Sequence, residues 1–137
     1  MPSRYKFQNL KVYQMSLKYL DYLYAVAAKL PDSEKYNLIS QLIRAGTSMV
    51  LNIAEGSTGQ SNAEQGRFLS IAIRSYLETI ACFDICLSRA YLTEDDIKEA
   101  HKIGHQFFLS ATAMRNKMLP EGYQVREVEP GYGDVDE

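Results

Sequence analysis

Cys82, Cys86, His101 and His105 are the only cysteines and histidines in the chain, and each pair is spaced four residues apart. Side chains four apart share one face of a helix, and tetrahedral zinc accepts this mixture of thiolate and imidazole. The register argues against a shared site. If two antiparallel helices turn near Leu92, Cys82 lies level with about position 102 and Cys86 with about position 98. At 1.5 Å of rise per residue, His105 then sits about 10 Å along the axis from Cys86, too far to share one ion. The four residues read as small core thiols beside partly exposed histidines. No metal and no cofactor is expected.

Other catalytic arrangements are also missing. A di-iron bundle needs Glu-x-x-His on its helices, and the sequence has none. The Arg-x4–6-His spacing associated with helical RNA-cleaving toxins precedes neither histidine. The loop GSTGQSN lacks the Gly-Lys-Ser/Thr of a phosphate loop. The expectation is a protein that is not an enzyme.

A third constellation is polar. Gln41, Arg44, Ser48, Asn52 and Glu55 follow one another at steps of three, four, four and three. On a helix these steps draw a single stripe. A guanidinium matches a carboxylate bidentately, so Arg44 is suited to Glu55 or Glu78 of another helix or another copy. The preferred reading is a structural network that sets register. The alternative is a strip facing a ligand, such as the lining of a ring's channel.

Arg4, Lys6, Lys11, Lys18 and Lys29 gather at and before the first helix, a pattern able to touch nucleic-acid phosphates. The formal charge is only −2, yet residues 119–137 carry six acids and one base. The rest of the chain is therefore mildly basic, with 14 Lys/Arg against 11 Asp/Glu. The preferred reading is a solvated polar face, since Asp21 interrupts the row; the alternative is contact with RNA or DNA, expected to be weak and salt-sensitive.

Four helices must position these residues. The first is expected from about Leu10 to Leu30, capped by Asn9 and stopped by Pro31. The second is expected to start at Asp32 or Ser33 and to end at Gly56. The third runs from about Ala63 to Ala90, and the fourth follows the Thr93 cap to about Met118. No segment alternates like a strand. Short links favour an all-α, antiparallel up-down-up-down four-helix bundle over residues 1–118. The acidic tail, 119–137, is expected to be disordered or to dock as an extended segment. No apolar run reaches the roughly 18 residues of a membrane span, no leader is apparent, and cysteines four apart on a helix make a poor disulfide. A cytoplasmic protein with no membrane partner is expected.

The first helix has more apolar surface than one bundle needs. Leu10, Tyr13, Leu17, Leu20, Tyr24, Ala27 and Ala28 form one stripe, and Val12, Met15, Tyr19, Tyr22, Leu23, Val26 and Leu30 a second beside it. The third helix repeats the excess. Phe68, Ala72, Thr79, Phe83, Cys86 and Ala90 suit the core, while Leu69, Ile73, Tyr76, Ile80 and Leu87 extend round one side. Monomers avoid large exposed apolar patches. The expectation is self-association through a seam of Tyr19, Tyr22, Leu23, Val26, Leu69, Ile73, Tyr76 and Ile80.

The chain also resembles a known family. The resemblance covers about Phe7 to Met118. It rests on F-x-x-L-x-V-Y-Q (Phe7, Leu10, Val12, Tyr13, Gln14), Y-x-L-x-x-Q (Tyr36, Leu38, Gln41) and NIAEG (Asn52 to Gly56), with RFLxIA (Arg67 to Ala72) and Ser75-x-x-Glu78 following in order. These residues resemble the four-helix bundle proteins tied to intervening sequences of bacterial large-subunit ribosomal RNA genes. The accessory protein of diversity-generating retroelements looks like a relative. Ile43, Val50, Arg74 and Ile80 depart from the family pattern and bear on a shared ligand surface more than on the fold. The resemblance implies a bundle assembled as a ring, often a homopentamer, with RNA, DNA or a nucleic-acid enzyme as partner. The rival expectation is a protein-interaction scaffold with no nucleic-acid role.

Overall fold

A computed structural model describes residues 4–58 and 61–119. Those residues are all-helical, with no strand among them. Four helices dominate: α1 Lys11–Ala27, α2 Ser40–Gly56, α3 Asn62–Ser88 and α4 Glu94–Met118. The tail reading falls on residues 119–137, which lie outside the described residues except for Leu119.

Contacts between helices show their directions. Ser48 of α2 meets Ser75 of α3, and further along α2 Gly56 meets Phe68, earlier in α3. Likewise Gly66 at the start of α3 faces Leu119, while Phe83 near its end faces His101. Lys29, just beyond α1, reaches Asp96 near the start of α4. Neighbours that meet in reversed order run antiparallel. The diagonal pair α1 and α3 touches through Tyr19 and Thr79.

Local chemistry explains the helix ends. Thr93 accepts from the Asp96 amide, while Asp96 accepts from the Thr93 amide at 2.8 Å, a reciprocal cap with three acids in the first turn. Ser61 caps α3 by accepting from the Glu64 amide at 3.1 Å. Leu10, rather than Asn9, occupies the cap position of α1. The start of α2 also departs from expectation. Residues 32–34 make a tight 3-10 turn and 35–39 a wider π turn, so α2 begins only at Ser40. Glu34 organises that entry. Its carboxylate accepts from Asn37 Nδ2 at 3.1 Å and from the Tyr91 hydroxyl, in the α3–α4 turn, at 2.9 Å.

These bonds, led by the one from Tyr91, hold the Glu34 carboxyl below its usual pKa of 4.5. A lowered folded-state pKa adds stability above the unfolded value, lost as pH falls through the folded value. Glu34→Gln is therefore expected to be less stable than the parent at neutral pH, with the gap closing as pH drops below 4.5. Thermal melts across that range read it; a constant gap would remove the carboxylate's role.

Helix α3 stops in a Schellman motif. The Tyr91 amide donates to Cys86 O at 2.9 Å and the Ala90 amide to Leu87 O at 3.0 Å. Ala90 sits at φ 62°, where a Cβ crowds the following carbonyl. Ala90→Gly is expected to raise stability by about 1 kcal/mol, read as a higher denaturation midpoint. An unchanged or lower midpoint would show that the turn carries no strain.

The core centres on aromatic rings. Tyr19 and Tyr76 lie 5.4 Å apart by ring centroid, and Tyr76 lies 5.8 Å from Phe107 and 5.6 Å from Phe108. The Tyr19 and Thr79 hydroxyls share a 2.7 Å hydrogen bond, and Thr79 also reaches the Tyr76 carbonyl, at 2.6 Å. Burial raises the Tyr19 phenol strongly, against the lowering effect of its Thr79 bond. It pushes Tyr76 up to about 12. Both phenols stay neutral at any physiological pH.

This core overturns the seam assignment. Tyr19, Leu23, Val26, Leu69, Ile73 and Tyr76 are all buried inside the chain itself, and Tyr22 and Ile80 are half-buried against that core. The reason is volume. Small residues at Gly46, Ala72, Ala100, Gly104 and Ala111 leave central space that the large side chains fill. The other α1 stripe turns outward instead: Leu10, Tyr13, Leu17 and Leu20 are half-buried, Tyr24 and Ala28 are exposed, and only Ala27 is buried.

Candidate subunit and nucleic-acid interfaces

The polar stripe lies on the outer edge of α2 next to α3. Its middle forms a network: Asn52 Nδ2 donates to the Ser48 carbonyl at 2.8 Å and to Ser48 Oγ at 3.0 Å. Ser75 Oγ of α3 donates to Ser48 Oγ at 2.9 Å. Ser75, which the family motif contains, is the cross-helix partner that the stripe argument missed. The ends of the stripe behave differently. Gln41, Arg44 and Glu55 are exposed, as is Glu78. The ion pairs found among the described residues, Lys29–Asp96 and Arg67–Glu64, involve none of them. Arg44 and Glu55 stand eleven residues apart on one helix, about 16 Å, and cannot meet. The stripe thus joins helices in its centre and presents charges at its ends.

A second surface is apolar. Leu20 and Leu23 close on Gly46 of α2, where a Cβ would fall 2.8 and 2.5 Å from them. That contact identifies the α1 flank turned to α2. Leu17 and Tyr24, three before and four after Leu20, continue the flank outward. On α2, Ile43, Thr47 and Leu51 recur every four residues beside Gly46 and Val50. Tyr24 is 55% and Leu51 60% exposed. Phe7 covers the lower end by packing edge-on to Tyr13 at 5.0 Å. The remaining row is an apolar face at the α1–α2 edge.

The third surface is basic. Lys11 and Lys18 flank a depression of about 190 Å³ between α1 and α4, floored by Gln14, Met15, Ile103 and Gln106. Gln14 also donates to the Gln8 carbonyl at 3.0 Å, and Gln8 accepts from the Arg4 amide at 2.7 Å. The segment carrying Arg4 and Lys6 is thereby folded against the start of α1. Lys117 lies eleven residues, three turns, beyond Gln106 on the same face of α4. Sequence spacing gave no reason to add it, because it sits on another helix. Lys29 leaves the set: it binds Asp96 at 3.1 Å.

The tempting metal and nucleophile residues are placed unfavourably for chemistry. Cys82 and Cys86 are buried free thiols, and burial, with Glu78 and Cys86 adding to it, pushes Cys82 up to about 11. A protonated thiol is a poor ligand and nucleophile. His101 rests edge-on against Phe83 at 5.3 Å, and His105 is exposed. Among the described residues, no group of three His, Cys, Asp or Glu side chains is placed to hold a metal. Nor is any described helix long and apolar enough to cross a membrane.

One charged residue escaped the periodicity entirely. Arg115 is 1% exposed, the largest fully buried side chain among the described residues. It lies in the last turn of α4, where the negative end of the helix dipole favours a cation. No curated protein matches the chain. A family model described as "23S rRNA-intervening sequence protein" matches residues 8–107.

Proposed function

Because the chain belongs to the 23S rRNA-intervening sequence protein family, we propose that it is a non-enzymatic, cytoplasmic bundle that assembles with copies of itself and holds RNA or DNA weakly. The expected assembly is a closed ring, with five copies as the family likeness implies. The observation that carries the reading is the apolar row of Leu17, Tyr24 and Leu51, which stands outside the filled core beside half-buried Ile43. Arg44, Glu55 and Glu78, without ion pairs in the described chain, supply charges for pairing between copies. Nucleic acid is assigned to the Lys11–Lys18 depression, extended by Lys117, Lys6 and Arg4. Repetition of this face around an assembly adds weak contacts together. The two buried free thiols suit a reducing compartment.

Light scattering on the parent and on Leu51→Asp tests assembly. The parent is expected to be oligomeric and the variant to have monomer mass with its melting transition retained. A monomeric parent sinks the assembly. Filter binding of single-stranded RNA tests the basic face. Replacing Lys11 and Lys18 with Ala is expected to weaken binding and reduce the log–log salt slope by about 1.5. Parent affinity that is the same at low and high salt removes the phosphate mechanism. The apolar row also favours a second reading, a scaffold for another protein. It gains if Leu51→Asp leaves the mass unchanged and no RNA binds.

A further inference from the structure

The starts of α1 and α3 and the end of α4 share one end of the bundle, since Leu119 packs against Gly66. Residues 120–137 follow Leu119 and carry Glu121, Glu127, Glu129, Asp134, Asp136 and Glu137 against the single base Arg126. Beside that exit stands the lysine face: Lys117 in the last turn of α4, then Lys11 and Lys18 along the α1–α4 depression.

We propose that residues 120–137 fold back along this depression and occupy the lysine face of their own chain, where a polyanion must displace them. This inference rests on the reading of that face as an anion-binding surface. Reach permits it. Lys18 lies beside Ile103, sixteen residues before Leu119, or about 24 Å along α4. Eighteen residues of extended chain span up to about 60 Å. Charge favours it too. Lys11, Lys18 and Lys117 are exposed and belong to none of the ion pairs found among the described residues, whereas Lys29 is held by Asp96. The floor of the depression contributes apolar surface from Met15 and Ile103, and the sequence between Glu121 and Glu129 includes Tyr123, Val125 and Val128. Tethering supplies the affinity. A linked segment acts at millimolar effective concentration, so individually weak pairs compete with a free ligand. Salt weakens the arrangement because the pairs are exposed.

Two measurements on the full-length chain decide it. The first is zero-length carbodiimide cross-linking at low salt, on protein refolded from a denatured mixture of isotopically heavy and light chains so that any assembly contains both. Amide links from Lys11, Lys18 or Lys117 to tail carboxylates, within one isotope and lost at high salt, are expected. Links elsewhere, links between isotopes, or no links overturn the proposal. The second is affinity for an oligouridylate probe, comparing the parent with a chain carrying E121Q, E127Q, E129Q, D134N, D136N and E137Q. The neutralised chain is expected to bind at least about tenfold tighter at low salt. Tighter binding without the cross-links overturns docking in favour of long-range charge. The expected cross-links with no probe binding by either chain uphold docking and remove the nucleic-acid reading instead.

Discussion

Ile73→Asp is expected to leave the chain unfolded at every concentration, rather than folded and dissociated. Ile73 is 1% exposed and lies one turn from Leu69 and three residues from Tyr76, both buried. A carboxylate there has no water to solvate it. Burying an isolated charge costs tens of kcal/mol in the limit, and protonation still leaves an unsatisfied polar group in apolar surroundings. Either penalty is large beside the roughly 5–15 kcal/mol that holds a domain together. The apolar periodicity of α3 taken alone points to the opposite result, because it places Ile73 on a seam between copies. Circular dichroism and limited proteolysis separate the two. A helical, protease-resistant Ile73→Asp monomer would return this residue to a subunit interface. The exposed Leu51→Asp is the matching control, expected to keep its helices.

Gly104→Val has the next largest effect. A Cβ on Gly104 would stand 2.6 Å from Tyr19 Cε1 and 2.7 Å from Tyr76 Cε1. Neither ring can retreat: Tyr19 is fully buried and tied to Thr79 at 2.7 Å, and Tyr76 packs on Phe107 and Phe108. Valine adds two methyl groups beyond that Cβ. Its better helix propensity recovers only about half a kcal/mol, against overpacking of about 3 kcal/mol. The expected net loss is about 2–3 kcal/mol, read from urea unfolding. Gly104→Ala should lose less. Should Gly104→Val unfold at the parent's midpoint, the close approach of α4 to the two tyrosines is not a constraint on the core.

The same two residues show where sequence reasoning stopped. The starts of α3 and α4 were legible because each carries a strong local signal, Ser61 ahead of Glu64 and Thr93 ahead of three acids. The α2 start was not, because its organiser, the Glu34 carboxylate, is shared with Tyr91, 57 residues away. The two apolar sectors of α1 were visible as sectors. Which one faces inward depends on space left by Gly46 and Gly104 on other helices, and no wheel drawn for α1 contains them. Lys29 reads as a free cation until Asp96 appears beside it. Lys117 comes to the side of Lys11 and Lys18 only through its helical register with Gln106, which lines their depression.

Sequence alone therefore determined the all-helical class, the four helices, the acidic character of residues 119–137 and the family likeness, which the family match over residues 8–107 bears out. These follow from periodicity, capping chemistry and composition, all properties of neighbours along the chain. The tertiary structure decided which apolar face became core, which charges were already paired and which lysines share a depression. Those outcomes depend on volume and distance between helices, as where Ile103 and Gln106 of α4 close the depression beside Lys11 and Lys18 of α1.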